Sequence, residues 1–128
     1  MGGNINKNIM FFILFFKIIT AIFGQDSQSN NVVFPITLNE AYLALDNMLS
    51  SEVIEDIKLS SVNDLIKYHR NLGMWIRNNW FRAPGSRLGS LFTEYLPRHM
   101  DDLSQAIIIG YHYYLNGIEK TIEELLNE

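Results

Sequence analysis

From residue 37 onward, apolar residues recur at intervals of three and four, the period of helices with one buried face. Thr37-Leu38-Asn39-Glu40 has the spacing of a capping box, in which threonine and glutamate satisfy each other's backbone amides. Leu38, Ala41, Tyr42, Leu45 and Leu49 then fall on one face, which predicts the first helix. Ser50 or Ser51 caps a second, with Val53, Ile54 and Ile57 inward and Glu52, Glu55, Asp56 and Lys58 outward. Acids early in that helix suit the positive end of its dipole. Ser60 and Ser61 precede a central helix, with Asp64 standing where a capping-box glutamate would. Leu65, His69, Leu72, Ile76 and Trp80 share a face of it, while Arg70, Arg77 and Asn78 fall toward the other side. Gly73 interrupts this pattern at a cost of about 1 kcal/mol relative to alanine, which points to a kink or a close helix crossing.

Pro84-Gly85 ends the central run, because proline disfavours helix in the residue before it. Ser86 is placed to cap a further helix carrying Leu88, Leu91, Phe92 and Tyr95, and Leu96-Pro97 breaks the chain again. Asp101 and Asp102 stand at the first turn of a helix that runs to about Leu115, where Asn116-Gly117 supplies a stop. Ile118, Ile122, Leu125 and Leu126 predict a last amphipathic helix within residues 118–128. The expected fold is all-α: a single compact domain of five or six short helices, packed antiparallel across short turns, after an N-terminal signal segment and linker. The expected divisions are a signal peptide over 1–24, a linker over 25–36, the helical domain over 37–117 and a C-terminal helix or tail over 118–128.

The N-terminal segment changes where this domain is expected to work. Residues 1–24 join a short polar start bearing Lys7 to an apolar run over 9–23, with the small Gly24 at a cleavage position. The run is shorter than the roughly twenty apolar residues of a membrane span, and Lys17 lies inside it. Export is therefore expected, periplasmic or extracellular, and a membrane partner only through an uncleaved segment. The chain has no cysteine, which excludes a disulfide framework and a thiolate metal site. Aromatic residues at 12% argue against disorder of the remainder.

Formal net charge is −4, and loss of Lys7 and Lys17 without any acid makes the exported chain two charges more negative. The balance reverses over residues 65–98, where Lys67, Arg70, Arg77, Arg82, Arg87 and Arg98 face Glu94 alone. Both tryptophans, Trp75 and Trp80, lie in that basic stretch. Arginines interleaved with aromatics are one mark of nucleic-acid surfaces. The acidic whole and the export signal argue against that partner and leave a protein or an envelope polyanion. Trp75, Arg77, Asn78, Arg82 and Arg87 are the candidate binding residues. Trp80 has the spacing of a core residue, and Arg77 or Arg87 is expected to pair with Asp101 or Asp102, docking the later helix on the central one.

Catalytic signals are sparse. His69, His99 and His112 form no short zinc spacing, so no metal or cofactor is implied. Asp101 and Asp102 are adjacent and diverge on a helix, which suits dipole stabilisation better than a shared proton. There is no P-loop, Gly-x-Ser-x-Gly elbow or dinucleotide fingerprint.

Over residues 37–117 the chain resembles a bacterial family, domain of unknown function 6794. The resemblance rests on Gly73-Met74-Trp75-Ile76-Arg77-Asn78-Asn79-Trp80, Ser86-Arg87-Leu88, then His99, Asp101, Asp102, Ser104, Tyr111-His112 and Leu115-Asn116-Gly117. Phe81-Arg82 stands where the family pattern has Gly-Leu, Met100 where it has proline and Tyr113 where a basic residue is common. The resemblance implies domain boundaries and no assigned activity. The sequence thus favours a non-enzymatic exported interaction module. The alternatives are a hydrolase using His112 or His99 with Asp101 or Asp102, or a toxin-protective, immunity-like protein.

Overall fold

A computed structural model describes residues 34–92 and 100–128. The signal segment, most of the linker, Tyr95, the Leu96-Pro97 break, Arg98 and His99 lie outside the described residues. The fold is all-α, with no strand among those residues. Its first helix, α1 (Leu38–Met48), has the full capping box: Thr37 accepts from the Glu40 amide, and Glu40 reaches back to the Thr37 amide. Helix α2 (Ser51–Leu59) is capped by the Ser50 hydroxyl, which accepts from Val53 N.

The central element is helical without a break from residue 63 to 81, but its winding changes along the way. A 3-10 stretch (Asn63–Tyr68) passes into a π turn (His69–Gly73), one α turn, α3 (Met74–Ile76), and a second π turn (Arg77–Phe81). Leu65, Tyr68, Leu72, Ile76 and Trp80 are buried along its inner side. Gly85, at a φ of 84°, turns the chain after Pro84. The short α4 (Leu88–Leu91) follows, and its start differs from expectation. Arg87 holds the cap position without a side-chain bond, while the Ser86 hydroxyl donates to Phe81 O and Ala83 O. Ser86 closes the preceding turn instead of opening the next helix.

Helix α5 (Met100–Leu115) is the axis of the molecule. Its residues from Leu103 to Tyr111 are almost all buried, because α1, α2, the central helix and α6 (Ile122–Leu126) surround it. Two polar fixtures join distant elements to it. His112 Nδ1 lies 2.8 Å from Ile57 O, and Asn116 Nδ2 donates to Lys58 O at 3.0 Å. Since a carbonyl only accepts, His112 carries its proton on Nδ1. The last carbonyls of α2, which no residue of that helix can reach, thus find donors at the end of α5 and on the residue that follows it. On the other side, Asp46 of α1 accepts from the hydroxyls of Tyr111 (2.7 Å) and Tyr114 (3.1 Å). The Asp46 bond, burial and charge all raise the Tyr111 pKa, burial most, and the bond chiefly raises that of Tyr114.

Candidate binding surface on the central helix

The central helix separates its polar residues into two sets. Ile66, Arg70, Met74, Asn78 and Arg82, four residues apart, are all exposed and mark one outer stripe. Turns wider than α bring residues four to five apart onto one side, so the two π turns keep the stripe straight. Arg82 Nη1 donates to Asn78 Oδ1 at 3.1 Å, which holds two of its members together. Trp75 is half-buried beside the stripe, its ring edge-on to the buried Trp80 with centroids 5.4 Å apart.

Arg77 belongs to the inner set, which corrects the expectation that it faces outward with Arg70 and Asn78. It is only 7% exposed. Its Nε lies 3.1 Å from Asp101 Oδ1, its Nη1 donates to Ser104 Oγ at 2.9 Å, and its Nη2 donates to His69 O at 3.4 Å. Ser104 Oγ in turn donates to Asp101 O. The guanidinium lies back along its own helix over Gly73, where an added Cβ would stand 3.0 Å from Nη1 and 3.6 Å from Ser104 Oγ. The expected tie between Arg77 and Asp101 is therefore present, but it is one-pronged. The second prong of the guanidinium goes to serine and backbone.

The ion pairs among the described residues join Lys67 to Asp56, His69 and Arg77 to Asp101, and Lys120 to Glu128. Lys67 and Arg77 are thus spoken for inside the fold. Burial pushes the Asp56 pKa up, but hydrogen bonds from Lys67 and Tyr68 together with the Lys67 charge outweigh it, and the net shift is downward. Arg70, Arg82 and Arg87 are exposed and have no acidic partner among the described residues. The basic stretch of the sequence therefore contributes three unpaired surface cations here, fewer than its composition suggests.

Of the histidine–aspartate arrangements expected of a hydrolase, those of His112 do not come together, and those of His99 lie outside the described residues. His112 and Asp101 stand eleven residues apart on one helix, roughly 16 Å of axial rise, and His112 is engaged with Ile57 O. Asp102 is exposed at the start of α5 and makes no ion pair among the described residues. The histidine that does meet Asp101 is His69, with Nε2 3.8 Å from Oδ2. Its Nδ1 is buried without a hydrogen-bond partner among the described residues. In the sequence His69 stands on the apolar face and in no short zinc spacing, and neither pattern pairs it with Asp101. The four-residue offset to Gly73 and the eight-residue offset to Arg77 are the signals that place it at this joint. Ser104 is fully buried and both its hydrogen-bonding roles are used, so its hydroxyl is not available to a substrate. No group of three or more metal-ligating side chains occurs among the described residues. None of their helices is long and apolar enough to cross a membrane.

A family model described as Domain of unknown function (DUF6794) matches residues 34–115, which leaves 1–33 and 116–128 outside the match. Neither curated proteins nor solved structures give a match to the chain.

Proposed function

The chain belongs to the DUF6794 family, and from that premise we propose that it is an exported binding module that engages an acidic protein through the outer stripe of its central helix. The observation that carries the reading is the row of exposed residues bearing Arg70 and Arg82, which have no acidic partners among the described residues; Arg87, exposed and likewise without an acidic partner there, lies beyond it at the start of α4. A partner's carboxylates are the groups that complement such a row, and charge complementarity of this kind sets specificity and association rate. Ile66 and Met74, 62% and 45% exposed, interrupt the cations with apolar surface. A protein face with apolar residues among its acids covers both kinds of group, whereas a polyanion leaves the apolar ones in water. Trp75 adds a half-buried aromatic of the type enriched at interface anchors. Export rests on the pattern of residues 1–24.

The test is co-precipitation from the native envelope fraction with the full chain and with a double charge reversal, Arg70→Glu with Arg82→Glu. Both side chains are exposed, so the variant keeps its fold. The expected result is a partner retained at low salt by the native chain, released by moderate salt and lost by the variant. A partner bound equally by both chains sinks the reading. Binding that survives loss of protein from the fraction but not digestion of its polyanions reassigns the partner.

A further inference from the structure

Between α1, α5 and residues 117–120 lies a cavity of about 510 Å3, a volume within the range of small-molecule sites. We propose that it binds a small uncharged molecule with an apolar body and one acceptor oxygen, of the carbonyl or amide kind, which takes the hydrogen bond of the Tyr42 hydroxyl. The inference uses none of the residues of the arginine stripe and stands independently of it.

Three tyrosines cluster at this place. The Tyr42 ring centroid lies 5.2 Å from that of Tyr114 and 6.2 Å from that of Tyr111. Asp46 accepts from two of the three hydroxyls, those of Tyr111 and Tyr114. The third, on Tyr42, makes no hydrogen bond among the described residues, although Tyr42 is only 8% exposed. Buried polar atoms in native proteins are nearly always paired, so this hydroxyl points to a partner. Its oxygen sits beside Gly110 of α5, where an added Cβ would stand 2.0 Å from it. Both residues line the cavity, and the missing side chain at position 110 makes room for the hydroxyl at its floor. Burial pushes the Tyr42 phenol up to about 12, so at neutral pH it keeps its proton and can donate it to an acceptor.

The walls select an apolar body. Leu38 and Ile118 face the cavity, and Ile118 is 48% exposed. Gly117, also in the lining, has open space beside it, since an added Cβ would meet no atom within 4 Å. Water can pair with the Tyr42 hydroxyl, but it leaves these apolar side chains wetted. A molecule that covers them as well releases that water.

The rim excludes charge. Glu119 is exposed there. Lys120 directs its ammonium elsewhere, 4.9 Å from the Tyr113 ring centroid and 4.0 Å from Glu128 Oε1. A carboxylate ligand therefore meets an acid and no free cation. A cation that only donates leaves the Tyr42 proton without an acceptor. An uncharged acceptor meets neither objection.

The experiment follows backbone amide NMR shifts of the full chain titrated with N-methylbenzamide or with ethylbenzene, which has a similar body and no acceptor. Saturable shifts at Gly110 and Gly117 are expected with both probes, at lower concentration for N-methylbenzamide. Tyr42→Phe removes the donor and keeps the ring. N-methylbenzamide should bind this variant about three- to tenfold more weakly, and ethylbenzene should change by less than about twofold. No saturable shift at Gly110 and Gly117, or an unchanged N-methylbenzamide affinity in the variant, overturns the proposal. So does an equal loss for both probes, because a hydrogen bond to one of them cannot produce it. If Tyr42→Phe does not fold, Ile118→Lys decides, since that side chain is exposed and its change leaves the core intact. A charge on this wall should abolish the shifts at Gly110 and Gly117. Shifts that persist place the probes elsewhere, and the proposal falls.

Discussion

Arg77 lies over Gly73 of its own helix, with Nη1 3.0 Å from the point where a side-chain carbon on that glycine would stand. The pair explains why a residue that weakens helices sits in the middle of the longest helical run. Glycine at position 73 leaves room for the guanidinium to reach Ser104, 2.9 Å away on α5. Gly73→Ala therefore has two opposed effects: about 1 kcal/mol of helix propensity gained, and displacement of a buried, hydrogen-bonded arginine. In the native background the substitution is expected to give no gain in stability. In an Arg77→Met background, where the displaced group is absent, the gain of about 1 kcal/mol should appear. Urea unfolding of the four chains of this cycle measures the coupling, and strict additivity would show that the two residues do not constrain each other.

The Arg77–Asp101 contact is asymmetric. Arg77 is 7% exposed, whereas the Asp101 side chain is 57% exposed and keeps much of its water. Removing Asp101 as Asp101→Asn should therefore cost under about 1 kcal/mol, as for a surface pair. Arg77→Ala removes buried hydrogen bonds to Ser104 and the His69 carbonyl together with the packing of its stem, and should cost about 2–3 kcal/mol. Lysine cannot reproduce the planar, three-way arrangement, so Arg77→Lys should recover little of that loss. Equal costs for the arginine and aspartate changes would mean that the ion pair, and not the buried network, is what matters.

Stability should fall at strongly alkaline pH, where the buried tyrosines are forced to ionise. Tyr42 is pushed up to about 12 by burial. Tyr68 and Tyr111 are raised further, by burial first and then by their bonds to Asp56 and Asp46. In the unfolded chain the same phenols ionise near 10.0. The folded state thus holds protons that the unfolded state releases, and the stabilisation is complete below pH 10.0 and lost as pH rises through the folded values. Asp56 has the opposite sign. Its folded value is lowered, so its contribution is present above 3.8 and disappears as pH falls below that. Urea midpoints across pH should be flat through neutrality and drop beyond pH 10.0, with tyrosinate absorbance rising together with unfolding. Tyrosinate absorbance that saturates near pH 10.0 in a folded chain would contradict this.

The helices were legible in the sequence because their signals are local. Thr37 with Glu40 and the acids of α5 identify starts from a few neighbouring residues, and the buried faces follow from period alone. The direction of Arg77 was not legible. A regular helix sets it roughly 100° from Ile76, toward the polar side, whereas a π turn changes that angle and only the packed neighbour shows where the guanidinium goes. Nor was the partner of His112, because Ile57 is 55 residues away and offers only a backbone oxygen, which every residue possesses. The candidate surface was legible as composition and misread as extent. Lys67 and Arg77 are cations in the sequence, but in the fold Asp56 and Asp101 already answer them.

His112 closes the exposed end of α2 from a distance. Its replacement by alanine leaves Ile57 O, at the foot of a packed helix, without its donor, which should cost about 1–2 kcal/mol. Asn116→Ala should cost less, since Lys58 O lies on an exposed residue and water can replace the side chain. Hydrogen exchange locates the effect: faster exchange across α2 than across α1 is the expected pattern for His112→Ala. Uniform acceleration over the whole domain would show that the bond stabilises the core at large and not the end of one helix.

Gly110 offers the sharpest steric test. A methyl group there would stand 2.0 Å from the Tyr42 hydroxyl oxygen, closer than any relaxed contact allows, so the Tyr42 ring or the helix that carries it must shift. Overpacking of this kind should make Gly110→Ala destabilising by about 1–3 kcal/mol in spite of alanine's better helix propensity. The Tyr42 hydroxyl makes no hydrogen bond among the described residues, so Tyr42→Phe alone should be close to neutral. Combined, the two substitutions should lose less than Gly110→Ala by itself, because the phenylalanine ring lacks the oxygen that collides. The recovery should be partial, since the Tyr42 ring carbon and Leu125 Cδ1 both remain 2.9 Å from the added methyl. Thermal or urea unfolding of the two single variants and the double gives the answer. A double variant as unstable as the sum of its parts would place the clash elsewhere than at the tyrosine oxygen.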